Sequence, residues 1–275
     1  MKMKCQEIRE LGLVADLFSG DTLTPKPTVI MLGGSEGGKA WSETPEAVGM
    51  LAVLVEAGFT VLSLAYFGME GLPEALTGIP LEYFETAFDW LAEQPEVVPH
   101  RYALVGDSKG GELALLLGSH CPQVEAVAAF VPASVVFQGL SRKTESSWSY
   151  GGRGLPFVAF SLIAFLAALR GMKTGHFLRA YTLALRNKKQ AAQAAILVEK
   201  INGSVLLISG TEDEMWPSAR MCEQMEERLV AAKFAFSHTH LPLETGHNVT
   251  ADPRFWPSVT RFLAQEFAGR LASRL

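Results

Sequence analysis

The sequence predicts an α/β protein with a mostly parallel β-sheet, helices on both faces and a helical, lid-like insertion. Three observations carry this. Short apolar runs alternate with amphipathic stretches through most of the 275 residues, and such alternation joins parallel strands through crossover helices. One apolar run, Tyr102-Ala103-Leu104-Val105, leads through Gly106-Asp107-Ser108-Lys109-Gly110-Gly111 into a helical pattern at 112–117. Between residues 132 and 200 the alternation stops, and it resumes afterwards.

The elements follow in order. Residues 7–18 mix polar and apolar positions and read as an edge strand or a hairpin. Residues 28–32 are an apolar run bounded by Pro25, Pro27 and Gly33, which marks a strand buried on both faces. The next stretch, Gly33-Gly34-Ser35-Glu36-Gly37-Gly38, is too rich in glycine for regular structure. Residues 45–57 place Val48, Leu51, Ala52 and Val55 on one helical face, with Gly58 as the C-cap. A strand at 59–66, a Gly- and Pro-containing loop at 67–80 and an amphipathic helix at 81–94 come next. After the elbow the pattern gives a strand at 124–131 and an insertion at about 135–200. A strand at 204–209, a helix at 218–232, a strand at 234–241 and a closing helix at 254–271 complete the chain. The expectation is one domain over residues 1–275.

Composition narrows the function. About half the residues are apolar (48%), enough for a large core. Net charge is −5 and no basic cluster is interleaved with aromatics, so no nucleic-acid partner is expected. Cys5, Cys121 and Cys222 are an odd set without metal-ligand spacing. Free thiols suit a reducing compartment, and the expected location is cytoplasmic. No apolar segment follows the first seven residues, so no signal peptide is expected. The longest uncharged apolar run, 155–169, is shorter than the ~20 residues that span a bilayer. Neither phosphate-cradling pattern, G-x-x-x-x-G-K-[ST] nor G-x-G-x-x-G, is present. No cofactor and no metal are predicted.

The chemistry centres on Ser108. Strand, G-x-S-x-G, then helix is the context of a nucleophile elbow, a sharp turn that lifts the serine hydroxyl clear of the sheet. A serine needs a base to take its proton. In this arrangement the acid and the histidine follow the serine along the chain. Strand 204–209 runs into Gly210-Thr211-Glu212-Asp213-Glu214, where three carboxylates compete; Asp213 is the choice, with Glu212 and Glu214 read as solvated. His247 stands in the loop after the last strand, while His238 and His240 fall within the strand pattern and read as structural. For the oxyanion, the backbone N–H of Lys109 is one expected donor. The other is expected from the glycine loop, at Ser35 or a neighbour.

With these residues in place the chain resembles a known family. Leu32–Gly38, Gly106–Ala114, the Ser146-Ser147-Trp148-Ser149-Tyr150 stretch with Leu155-Pro156, Ile208–Asp213 with Trp216-Pro217-Ser218, and Gly246-His247 are similar to the catalytic domain of the type-I acyl-CoA thioesterases and bile acid-CoA:amino acid N-acyltransferases. The resemblance implies an α/β-hydrolase fold, an acyl-CoA or related thioester substrate, and a triad at Ser108, Asp213 and His247. The amino-acid-conjugating members use cysteine where this chain has serine. An oxygen ester favours water as acceptor, so hydrolysis ranks above transfer. A carboxylesterase or dienelactone-type hydrolase is the alternative reading.

The insertion leaves three readings open. Phe157, Phe160, Ile163, Ala164, Ala167 and Ala168 recur at helical spacing, with apolar residues on every side. A helix apolar all round is buried or faces something other than water. It is a core helix, a wall of an acyl-binding tunnel with Phe160 and Ile163 in contact with substrate, or a peripheral membrane-surface lid. Arg142, Lys143, Arg153, Arg170, Lys173 and Arg179 offer either phosphate ligands or a solvated basic face.

Overall fold

The computed structural model describes residues 3–21 and 24–269. Its main sheet has eight strands. Residues 7–18 resolve into the hairpin reading, with β1 (Lys4–Ile8) antiparallel to β2 (Val14–Ser19). Then come β3 (Lys26–Leu32), α1 (Pro45–Glu56), β4 (Thr60–Ala65), a two-residue β5 (Ile79–Pro80), α2 (Glu82–Ala92), β6 (Val97–Asp107), α3 (Lys109–His120) and β7 (Val124–Phe130). The insertion holds β8 (Trp148–Tyr150), β9 (Arg153–Gly154), α4 (Leu162–Thr174), α5 (Leu178–Ala184) and α6 (Lys188–Gln193). The chain returns to the sheet with β10 (Ser204–Gly210), α7 (Ser218–Ala231), β11 (His238–Leu243) and α8 (Phe255–Phe262), which continues as a π-helical turn over Leu263–Ala268. The end of the predicted closing helix, at 270 and 271, lies outside the described residues.

Strand order is β1-β2-β4-β3-β6-β7-β10-β11, parallel from β4 onward. The β3–β6 register slips between Lys26 and Thr28. Pro27 sits at that point and has no N–H to give the ladder. Strand side chains alternate between two cores. Ile30, Leu32 and Leu104 join the core under α2, α3 and α7, with Phe84, Leu113 and Met225. Val29, Met31, Ala103 and Val105 join the core under α1 and α8, with Leu51 and Val259. Burial on both faces explains why these strands read as unbroken apolar runs.

The chain leaves β3 for β4 on one side and then crosses to β6 on the other. The helices that follow β3 and β6 therefore lie on opposite faces, and the loops that lead to them meet at the carboxyl ends of the strands, where α/β sheets place their sites. The loops after β10 and β11 reach the same edge.

Two sequence expectations need correction. The last strand begins at His238 rather than at 234. Lys233, at φ 51°, ends α7 in a left-handed turn, and the Phe234 N–H bonds back to the Leu229 carbonyl. The apolar run 155–169 is not one helix. Residues 155–160 are irregular, and α4 starts where the Ser161 hydroxyl caps the Ala164 N–H. It ends at Gly175, with φ 76°. Nor is α4 a core helix. Its small residues Ala164 and Gly171 are buried, while Leu162, Ile163, Phe165, Leu166, Leu169 and Met172 are exposed. Among the described residues no helix is long and apolar enough to cross a membrane.

Candidate active site

Three glycines make the elbow tight. A Cβ on Gly106 would stand 2.1 Å from the Gly110 carbonyl oxygen, and one on Gly110 would stand 2.3 Å from that of Leu32. No side chain fits either gap. Ser108 takes φ 53° and ψ −113°, a conformation that costs an L-residue energy and persists because strand and helix fix both its ends. A Cβ on Gly34 would lie 3.3 Å from the Ser108 Cβ, so the glycine loop after β3 abuts the serine.

The structure brings Ser108, His247 and Asp213 together. His247 Nε2 is 2.9 Å from Ser108 Oγ, and His247 Nδ1 is 2.9 Å from Asp213 Oδ1 and 3.0 Å from Oδ2. A carboxylate only accepts, so Nδ1 carries the hydrogen and Nε2 is left to accept from the serine hydroxyl. Asp213 is buried and also accepts the Met215 and Trp216 N–H groups at 2.9 and 3.3 Å. The acid and histidine loops run side by side. The Thr211 N–H bonds to the Leu243 carbonyl and the Glu212 N–H to that of Thr245.

Glu212 is exposed, as expected, but Glu214 is not simply solvated. Its carboxylate accepts the His247 N–H at 3.1 Å. Its carbonyl accepts the Phe177 and Leu178 N–H groups at the start of α5. Glu214 thus ties the histidine loop, the acid loop and the insertion together. His240 stays structural, with Nε2 2.8 Å from Ser209 Oγ.

Burial alone would lower the His247 pKa. The hydrogen bond and charge of Asp213, helped by Asp107 and Glu214, outweigh it and hold the imidazole above the usual histidine value of 6.5. Asp107 is pushed up to about 7, chiefly by burial; His247 opposes the shift, and Glu36 and Asp213 add to it.

Of the two expected oxyanion donors, Lys109 stands at the first position of α3, where backbone N–H groups have no partner within the helix. Ser35 lies at an exposed turn. The loop residue against Ser108 is its neighbour Gly34, whose N–H donates to Glu36 Oε1 at 3.0 Å.

The Lys109 side chain makes a buried contact that the sequence did not reveal. Its Nζ is buried beneath the elbow, 2.6 Å from Glu112 Oε1 and 2.8 Å from Ser147 Oγ. The Trp148 indole N–H donates to the same Glu112 oxygen at 2.8 Å. Burial pushes the Lys109 amine down and the Glu112 carboxyl up, and their contact works against both shifts. The signal was an (i, i+3) charge pair inside an otherwise uncharged apolar helix.

The insertion walls the site. Trp216 packs edge-on against His247 at 5.7 Å and meets Phe137 and Tyr181. Phe160 packs edge-on against Tyr181. A cleft of about 1010 Å³ between α4, α5 and the acid loop is lined by Ile163, Leu166, Arg170, Arg179 and Asp213, among others. A smaller one of about 490 Å³ is lined by Phe160, Ile163 and Leu183. The lining of neither includes Ser108 or His247. Among the described residues no cluster of His, Cys, Asp and Glu is placed to hold a metal.

Parallel strands ending in a strained serine turn, with a histidine and a buried aspartate in hydrogen-bonded line, define an α/β-hydrolase fold with nucleophile-elbow geometry. A putative dienelactone hydrolase from Klebsiella pneumoniae subsp. pneumoniae shares this fold, with a TM-score of 0.62 at 17% identity over 97% of this chain and 98% of that one. The profile of the family described as BAAT / Acyl-CoA thioester hydrolase C terminal matches residues 79–268, and the chain belongs to that family. It is 30% identical over 252 residues to human (Homo sapiens) acyl-coenzyme A thioesterase 6, covering 92% of this chain and 55% of the relative. It is 29% identical over 227 residues to Mus musculus acyl-coenzyme A amino acid N-acyltransferase 2, covering 82% and 50%. The chain therefore spans about half the length of these relatives.

Two outcomes test this description. An NMR titration of the His247 ring has its midpoint above 6.5, and Asp107→Asn moves that midpoint down, because it removes a carboxylate that favours the imidazolium. A midpoint unmoved by Asp107→Asn removes Asp107 from the electrostatics of the site. Separately, Glu112→Ala leaves the Lys109 ammonium buried and unpaired, which costs about 3–5 kcal/mol in urea unfolding. The double change Lys109→Met with Glu112→Leu recovers most of that loss.

Proposed function

We propose that this protein hydrolyses acyl thioesters, in the first place acyl-CoA, to the free acid and CoA. The observation that carries the reading is the hydrogen-bonded line Ser108–His247–Asp213 at the sheet edge, in a chain whose relatives include thioesterases. Ser108 Oγ attacks the thioester carbonyl and its proton passes to His247 Nε2. The resulting oxyanion is held by the Lys109 N–H and by the glycine loop, where it would replace the Glu36 carboxylate on the Gly34 N–H. Collapse breaks the C–S bond. The CoA sulfur takes the proton from His247 and leaves an acyl ester on Ser108. Water then attacks the ester, gives its proton to His247, and the acid departs as the serine is reprotonated. Asp213 holds the tautomer and stabilises the imidazolium throughout.

The described residues act as one catalytic unit, with the insertion as its lid. Ile163 and its apolar neighbours in the larger cleft receive the acyl chain, and Phe160 backs the adjoining wall. The free thiols Cys5, Cys121 and Cys222 accord with a cytoplasmic location. Transfer of the acyl group to an amino acid is the second reading, favoured by the N-acyltransferase relative.

A screen of acyl-CoA, acyl-CoA with glycine or taurine, and a p-nitrophenyl ester under one set of conditions separates these. Free acid from acyl-CoA, without amide, supports hydrolysis; amide as the main product overturns it. Ser108→Ala lowers kcat by about 10⁶ and Asp213→Asn by about 10⁴, while Glu212→Gln keeps near-wild-type rates. Substantial turnover by pure Ser108→Ala protein removes the serine from the mechanism.

Each methylene that enters the cleft raises kcat/KM by about fourfold until the cleft is full. Ile163→Asp flattens this dependence and spares short-chain substrates. A wild-type enzyme that treats acetyl and palmitoyl thioesters alike takes the cleft out of the reading.

A further inference from the structure

Helix α4 is amphipathic the wrong way round for a helix in water. Its inward face is built from small residues. Ala164 and Gly171 are buried, and a Cβ on Gly171 would come within 2.8 Å of the His176 carbonyl and the Phe177 ring. One flank, with Ile163, Leu166 and Arg170, belongs to the larger cleft. The remaining face is the stripe Leu162, Phe165, Leu169 and Met172, spaced three or four residues apart and so stacked along one side. These four are 74%, 50%, 43% and 74% exposed, and none lines a described cleft. Single exposed apolar residues need no explanation, but a contiguous stripe of large ones marks a contact surface.

The charge of the insertion narrows what the stripe can meet. Residues 132–200 hold ten Lys and Arg against Glu145 and Glu199, a net +8, in a chain of net −5. From 146 to 198 there are seven basic residues and no carboxylate. Lys173 follows Met172 at the end of the stripe, and Arg170 stands beside it; both are exposed. The ion pairs among the described residues involve neither of them, nor Arg179 on α5. A soluble phosphate would satisfy the cations and leave the apolar stripe in water. A membrane surface satisfies both, since its headgroups take the cations while the stripe enters the acyl boundary.

We propose that the outer face of α4 docks this protein on an anionic phospholipid surface, with Leu162, Phe165, Leu169 and Met172 inserted and Lys173 at the headgroups. The docking is read without substrate, so it stands or falls separately from the activity proposed above.

The test is flotation of the full chain with vesicles of phosphatidylcholine alone and of phosphatidylcholine with phosphatidylserine. Wild type floats with the anionic vesicles, less so at high salt. Leu162→Ser with Leu169→Ser weakens binding by more than about tenfold, because two leucines no longer leave water. Lys173→Gln weakens binding to the anionic vesicles by about fivefold and leaves the neutral ones unaffected. It perturbs no packing, so it decides the matter if the double variant unfolds. The proposal is overturned if wild type stays with the unbound fraction, or if Lys173→Gln and the double variant bind as wild type does. It is also overturned if light scattering shows a dimer that the double variant dissociates, because the stripe then covers a second copy of the chain.

Discussion

Backbone contact at the elbow is the constraint from which the rest of the site follows. Gly106 and Gly110 let the end of β6, the start of α3 and the end of β3 approach to distances at which any Cβ would collide, and Gly34 brings the loop after β3 against Ser108. That closeness forces Ser108 into its strained conformation and turns its hydroxyl out of the sheet. It also sets the start of α3 and the Gly34 backbone beside Ser108. Strain of this kind survives only where the surroundings over-determine it. Here a two-sided core of strand residues, buried on both faces, supplies the support.

Beneath the elbow, the Lys109–Glu112 pair binds the insertion to the start of α3. Desolvating two charges costs several kcal/mol per ion, and their attraction offsets this only with good geometry and further hydrogen bonds. Ser147 and Trp148 provide those bonds, and both come from the insertion. The stretch 146–150 therefore packs against the buried pair at the start of α3. Glu214 makes the matching link on the other side, through its carboxylate to the His247 N–H and through its carbonyl to α5. The insertion is thus fastened next to the serine, through Lys109 and Glu112, and next to the histidine, through Glu214.

The insertion also differs from the rest of the molecule in its surface. The sheet and its helices carry the negative charge of the chain, whereas residues 132–200 carry a net positive one. In α4 the small residues pack inward and the large apolar ones point out. At Gly171 the turn into α5 comes so close that no side chain fits.

The sequence by itself determined the α/β alternation, the elbow at Ser108, the break after β7 and the order of serine, acid and histidine. These rest on short-range properties: apolar runs, glycines at a fixed spacing and loops that follow strands. Tertiary structure decided what depends on neighbours far along the chain. Asp213 rather than Glu212 or Glu214 faces His247 because the pairing of β10 with β11 lays their two loops side by side and fixes the turn. Lys109 and Glu112 are buried because the insertion covers them, and helical spacing alone is equally compatible with a solvated pair. The periodicity of 155–169 showed a segment apolar on every side, yet the faces of α4 were settled by where α5 packs. Position along a chain encodes which residues lie on one face, and only the assembled fold says whether that face meets protein or solvent.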